Sequence, residues 1–263
     1  MVIIFNPMIL VQLPCQRHGV RRARTINFGR VARGPSALRW GDDVNQEPIM
    51  TTTTLSAQQR LPIGHTEGVE FDVVAWGPAQ ADVDFSVACM FEHELDGAPV
   101  AGGLLGLDTA LGGQLTALRA SGAFRAQPME TLLISLPPAA IAARAVLVIG
   151  LGAPETLDSD RLRRATRVAM REAIRHGARS LAFAPSVLDG GHTDNAGLDM
   201  PHVMMDGMLS ALRAEHALAQ AGLAPPPSVQ HCTFDVGAPR LQGAGAAFAA
   251  AFALGTQSPQ QAD

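Results

Sequence analysis

"VLVIGLGAPETLD", Val146 to Asp158, is an apolar run, a Gly-x-Gly turn and then an acidic helix start. A short apolar run closed by glycine predicts a strand buried on both faces, and such strands belong to parallel sheets. Strand, glycine turn and helix N-terminus are also the parts of a phosphate cradle. The third glycine of a dinucleotide fingerprint would fall at position 155, where this chain has Glu155. Pro154 removes a backbone N–H as well. Taken alone, Gly150 and Gly152 therefore read first as a tight strand-to-helix connection.

Outward from this stretch the pattern repeats. "VEFDVVAW" (69–76), "DFSVACMF" (84–91), "TLLISL" (131–136), "RSLAFAP" (179–185) and "SVQHCTFDV" (228–236) are further predicted strands. "LLGLDTALGGQLTALRASG" carries Leu107, Leu111, Leu115 and Leu118 at helical spacing, with Gly112 and Gly113 inside it. "SDRLRRATRVAMREAIRHG" sets Leu162, Ala165, Ala169 and Ala173 on one face and six arginines on the others. Ser159 is placed to cap that helix, Asp158 and Asp160 suit its positive end, and Gly177 stops it. "PHVMMDGMLSALRAEHALAQAG" and "APRLQGAGAAFAAAFALG" are two more helices. Strands alternating with helices of this length predict an α/β fold in three layers, with a mainly parallel mixed sheet between helices. We expect one domain over 68–255, a lead-in over 50–67 and a polar tail over 256–263. Residues 1–49 read as a disordered or non-native extension, with Met50 serving as an ordinary start.

The chain has 263 residues, 47% of them hydrophobic, enough for one sizeable core. No apolar run approaches the roughly 20 residues that span a bilayer, so no membrane partner is expected. Cys15, Cys89 and Cys232 are few, odd in number and far apart, which suits a reducing cytoplasm rather than a disulfide framework. All 20 basic residues are arginine and there is no tyrosine, so mechanisms needing a lysine ammonium or a tyrosine hydroxyl are excluded. Residues 1–49 carry a net charge of +4 and the remainder −8. An acidic body argues against broad nucleic-acid binding, which depends on neutralising phosphates.

"PSVLDGGHTDNAGLDMPH" (185–202) is a second glycine-containing loop between a strand and a helix. It falls on the same rim as the opening stretch, beyond the C-terminal ends of parallel strands. Gly190 and Gly191 could present N–H groups to an anion there. Asp189, His192, Asp194, Asp199, His202 and Asp206 invite a metal reading, but no pair has a recognised ligand spacing, and we expect no metal. No serine sits in a Gly-x-Ser-x-Gly elbow, Cys89 and Cys232 lie in apolar strands, and Met204, Met205 and Met208 read as core filler.

In succession, "GLLGLDTALGGQLTAL", "ASGAF", "RAVLVIGLG" with "APETLD", and "RLRRATRVAMREAIRHGARSLAFAP" resemble the N-terminal domain of the leucine (cytosol) aminopeptidase family. That domain is similar in fold to macro domains, and the resemblance runs over about residues 68–222. One departure follows Phe124, where the family often has a Gly-Lys-x-Gly-Glu type turn and this chain reads "RAQPMET". The larger departure is the catalytic half, whose two metal ions are held by a lysine and carboxylates around an Asn-Thr-Asp-Ala-Glu-Gly-Arg stretch. Nothing here matches that stretch, so no aminopeptidase activity and no cofactor are expected.

The resemblance implies a stand-alone domain that binds a nucleotide or ADP-ribose-like ligand. Asp108 would then sit near an adenine-type group, and Gly150, Gly152, Gly190 and Gly191 near phosphates. Gly112 and Gly113 would allow close approach of the backbone. The alternative is an interaction module that pairs with itself or with a full-length aminopeptidase through the alanine-rich last helix. A third reading, hydrolysis of ADP-ribosyl groups, has no catalytic constellation behind it.

Overall fold

The computed structural model describes residues 9–10, 60–92, 102–187 and 197–257. Its strands are β1 (Ile9–Leu10), β2 (Leu61–Thr66), β3 (Val69–Val74), β4 (Phe85–Phe91), β5 (Thr131–Ile134), β6 (Ala145–Gly152), β7 (Ser180–Ala184) and β8 (His231–Asp235). Its helices are α1 (Gly102–Ala110), α2 (Gln114–Ala120), α3 (Ser159–Arg175), α4 (Met200–Gln220) and α5 (Leu241–Gln257). The strands form one sheet in the order β1-β5-β6-β4-β7-β8-β3-β2. Among the described strands only β5–β6 and β2–β3 pair antiparallel, so the mainly parallel mixed sheet predicted from the sequence is what forms.

The alternation of side chains along β6 explains the layers. Leu147 and Ile149 join a core with Leu162, Ala169, Met205, Met208 and Phe248, so α3, α4 and α5 cover one face. Val146 and Val148 point the other way, toward Leu104 and Leu107 of α1, Leu115 of α2 and Leu111 between them. Both faces are dry, and each fully buried Leu, Ile or Phe contributes roughly 1.5–3 kcal/mol.

Four local outcomes differ from the sequence reading. The helix expected across Gly112 and Gly113 is two helices, because both glycines take left-handed φ values of 66° and 79°. Asp158, not Ser159, caps α3, its carboxylate accepting from the Arg161 N–H at 2.8 Å. Strand β2 lies in the stretch read as a lead-in; its mixed pattern hides it, since an edge strand is half covered. The two residues of β1, within the stretch read as an extension, pair with Leu132 and Leu133 of β5.

On the face of β3 and β8 turned away from α5, polar residues gather. Arg60 pairs with Asp72 at 2.5 Å and stacks over Trp76, its guanidinium 5.2 Å from the ring centre, while His231 meets Glu70 at 3.1 Å. Burial holds the Asp72 carboxyl above the usual carboxylate range, against the opposing pull of the Thr233 hydroxyl, Arg60 and His231.

Two predictions follow from packing and charge. A Cβ at Gly207 of α4 would lie 1.9 Å from the Thr166 hydroxyl of α3. Gly207→Ala should therefore force the helices apart and cost about 1–3 kcal/mol, read as a lowered midpoint in urea unfolding. An acid with a raised folded pKa costs stability as pH climbs from the unfolded value through the folded one. Asp72→Asn cannot charge, so its melting temperature relative to wild type should rise as pH climbs above the unfolded carboxylate value of about 4; a flat or falling difference refutes this.

Candidate functional site

The parallel strands all end on one rim, at Val74, Phe91, Gly152, Ala184 and Asp235. At the end of β6 the opening stretch packs against the segment 124–130 rather than opening to solvent. The Gly150 N–H donates to the Glu130 carbonyl at 2.7 Å, its own carbonyl accepts from the Met129 N–H at 2.9 Å, and the Gly152 N–H donates to the Ala126 carbonyl at 2.9 Å. A Cβ at Gly150 would sit 2.2 Å from the Gln127 carbonyl oxygen, and one at Gly152 would sit 2.6 Å from Pro128, at a φ of 74°. Gly150 needs glycine because another backbone runs against it, and Gly152 because of the Pro128 ring and its own left-handed φ. Ala126 and Met129 keep left-handed φ values of 57° and 64°.

Asp108 is also turned inward. Its carboxylate accepts from the Leu115 N–H at 2.9 Å, the Thr116 N–H at 3.2 Å and the Thr116 hydroxyl at 2.5 Å. It thus caps the start of α2 just beyond the left-handed pair Gly112–Gly113. Gly190 and Gly191, with Asp189, His192 and Asp194, lie outside the described residues. Asp199 caps α4 by accepting from the His202 N–H at 3.1 Å, and Asp206 pairs with Arg163 at 2.7 Å. Among the described residues no group of three or more His, Cys, Asp or Glu could hold a metal ion.

The rim does hold a cavity of about 170 Å³, formed where β3, β7 and β8 end. Pro78, Val187, Met200, Met204, Val236 and Phe248 give it apolar walls. Phe248 is held in place by stacking on Phe234, ring centres 4.2 Å apart. Ser186, Asp235 and Arg240 add polar groups to the lining. The Asp235 carboxylate accepts from the Trp76 N–H at 3.1 Å and the Gly77 N–H at 2.6 Å, so it clasps the turn after β3 as one wall. Ser186 has a left-handed φ of 54°, and its hydroxyl oxygen is buried without a hydrogen-bond partner. Strain and an unsatisfied polar group together mark a place shaped for something other than stability.

None of the described candidates Asp108, Gly112, Gly113, Gly150 and Gly152 lines this cavity. Val187, the last described residue before Gly190, does. The sequence reading gives Asp235 no role; it makes Met204 core filler, and Met204 does belong to the core while also lining the cavity. A carboxylate closing the apolar strand "CTFDV" at the C-terminal rim was the available signal for the first. Met204 had none, since it is 2% exposed and indistinguishable in sequence from its buried neighbours.

Residues 92–202 match the sequence profile of the cytosol aminopeptidase family, N-terminal domain, and so form a region like that domain. A point variant of tomato leucine aminopeptidase aligns in structure with a TM-score of 0.51 at 14% identity, over 71% of this chain and 37% of the tomato chain. That likeness shows the fold, and this chain spans little more than a third of the tomato enzyme's length. The Trypanosoma brucei macrodomain in complex with ADP-ribose aligns with a TM-score of 0.49 at 19% identity, over 73% of this chain and 74% of that one. A macrodomain of Oceanobacillus iheyensis aligns with a TM-score of 0.49 at 12% identity, over 77% and 96%. No curated protein matches the chain by sequence.

The rim geometry predicts that Gly150→Ala and Gly152→Ala act on stability. Each should lower the melting temperature by several degrees, for a cost of about 2 kcal/mol or more. Circular dichroism melts test this, and an unchanged melting temperature in both variants refutes the packing role.

Proposed function

We propose that this chain is a binding domain that takes a nucleotide-like small molecule in the rim cavity and performs no peptide hydrolysis. The observation that carries the reading is the cavity itself: apolar walls, a buried unsatisfied hydroxyl at Ser186 and a carboxylate at Asp235, beyond the ends of parallel strands. Ligands of open α/β sheets bind at that edge. The ligand class is the one implied by the sequence resemblance to the aminopeptidase N-terminal domain. The chain has no lysine for the metal site of that family, and the tightly buried thiols of Cys89 and Cys232 fit a reducing cytoplasm. Among the described residues no helix is long and apolar enough to cross a membrane.

A second reading, an interaction module, is favoured by α5. This helix carries no charged residue, yet Ala246, Ala247, Ala250 and Ala253 are exposed and Leu254 is 59% exposed. Such a face suits packing against another chain.

Calorimetry with ADP-ribose and adenosine separates the two. Binding at or below millimolar ligand is expected, and Ala244→Phe, which fills the cavity, should weaken it by at least about tenfold at an unchanged melting temperature. No binding alongside a stable dimer by light scattering favours the second reading. Leucine p-nitroanilide with added Zn²⁺ or Mn²⁺ should remain intact, and turnover would overturn the non-catalytic reading.

A further inference from the structure

We infer that Asp72 and Trp76 form a guanidinium-binding corner, which the chain's own Arg60 occupies here and which takes a guanidinium group from another molecule when Arg60 withdraws. The corner is separate from the rim cavity, since none of Arg60, Asp72 and Trp76 lines it. The two sites can therefore be tested independently. Two walls define the corner. The Asp72 carboxylate, in the middle of β3, is one of them, and its side chain is only 7% exposed. The Trp76 ring is the other, with the Arg60 guanidinium carbon 5.2 Å from its centre. A carboxylate beside an aromatic face suits a flat, delocalised cation, which can pair at its edge and stack on its plane.

Arg60 fills this corner incompletely. Its Nη1 donates to Asp72 Oδ2 at 2.5 Å, while Oδ1 is buried without a hydrogen-bond partner. A guanidinium often grips both oxygens of a carboxylate through two parallel N–H bonds. Arg60 is tethered by the backbone that enters β2 at Leu61, the next residue, and reaches the carboxylate with one arm. A guanidinium free of that tether can turn its fork onto Oδ1 and Oδ2 together. A compact ammonium has no such fork. The Arg60 side chain is 44% exposed, and an ion pair with one partner so exposed holds weakly against water. Once Arg60 leaves, the corner keeps the Asp72 carboxylate, and Glu70 stands two residues along the same face of β3, paired with His231 at 3.1 Å. An arginine side chain and a free alkylguanidine share the chemistry that this corner recognises.

The test is calorimetry and thermal melting on the full chain, as wild type, Arg60→Ala and the double variant Arg60→Ala/Asp72→Asn. The probes are ethylguanidinium, ethylammonium and a blocked Gly-Arg-Gly peptide at constant ionic strength. Arg60→Ala is expected to bind ethylguanidinium saturably at millimolar concentration or below, with a melting temperature that rises as it does so. Ethylammonium should bind this variant at least about tenfold more weakly. Wild type should bind ethylguanidinium at least about tenfold more weakly too, because tethered Arg60 competes for the corner. The double variant should not respond. Peptide binding as tight as that of ethylguanidinium, or tighter, assigns the corner to arginine side chains, and weaker peptide binding assigns it to small guanidines. Absence of saturable guanidinium binding by Arg60→Ala makes Arg60–Asp72 an ordinary ion pair and overturns the inference. Equal binding of ethylammonium, equal binding by wild type, or an undiminished response of the double variant also overturns it.

Discussion

Strand β6 is buried from Val146 through Gly152, and a strand dry on both faces requires a helical layer on each side. The rest of the molecule depends on that requirement. Leu147 and Ile149 face α3, α4 and α5, while Val146 and Val148 face α1 and α2. Parallel neighbours can be joined only by crossovers, which return the chain to the same end of the sheet before each new strand. The C-terminal ends of β3, β4, β6, β7 and β8 therefore lie on one rim. The cavity occupies that rim because the helices on one face start there: α4 with Met200 and Met204, and α5 with Ala244 and Phe248.

Along this rim the same elements serve two different ends. At β6 they close the structure: the segment 124–130 lies so near the strand that Gly150 and Gly152 cannot carry a side chain, and their amides complete a backbone ladder. Ala126 and Met129 hold left-handed backbone that costs about 1–2 kcal/mol each, which the fit against β6 must offset. At β7 and β8 the elements instead leave space. Asp235 draws Trp76 and Gly77 aside, and Ser186 turns out of the strand with its hydroxyl unsatisfied. A buried oxygen of that kind costs roughly 1–3 kcal/mol, and the adjacent strain adds to it.

How much was legible follows from the range of each interaction. The strand runs "TLLI", "AVLVIGLG" and "SLAFA" announce themselves through composition, and the α3 face through its 3.6-residue spacing. Strand β2 did not, since Leu61 and Ile63 are only half covered and Gly64 lies against the Phe252 ring of a distant helix. Of the site residues the sequence singled out, none of the described ones lines the cavity. Glycines mark places where backbone comes close, and nothing local says whether the approaching group is a ligand or another strand's loop.

By itself, the sequence determined the alternation of buried strands and amphipathic helices, hence the α/β class, the crossover handedness and the edge on which loops gather. It also determined that no lysine or tyrosine takes part in any chemistry here. Only the tertiary structure decided that Asp108 caps a helix, that Gly150 and Gly152 receive a neighbouring backbone, and that Met204, Ser186 and Asp235 share one cavity. The reason is distance along the chain. Periodicity reports which face of an element is apolar, whereas the clasp of Asp235 on Trp76 joins residues 159 positions apart, and such a contact exists only once the sheet has brought β3 beside β8.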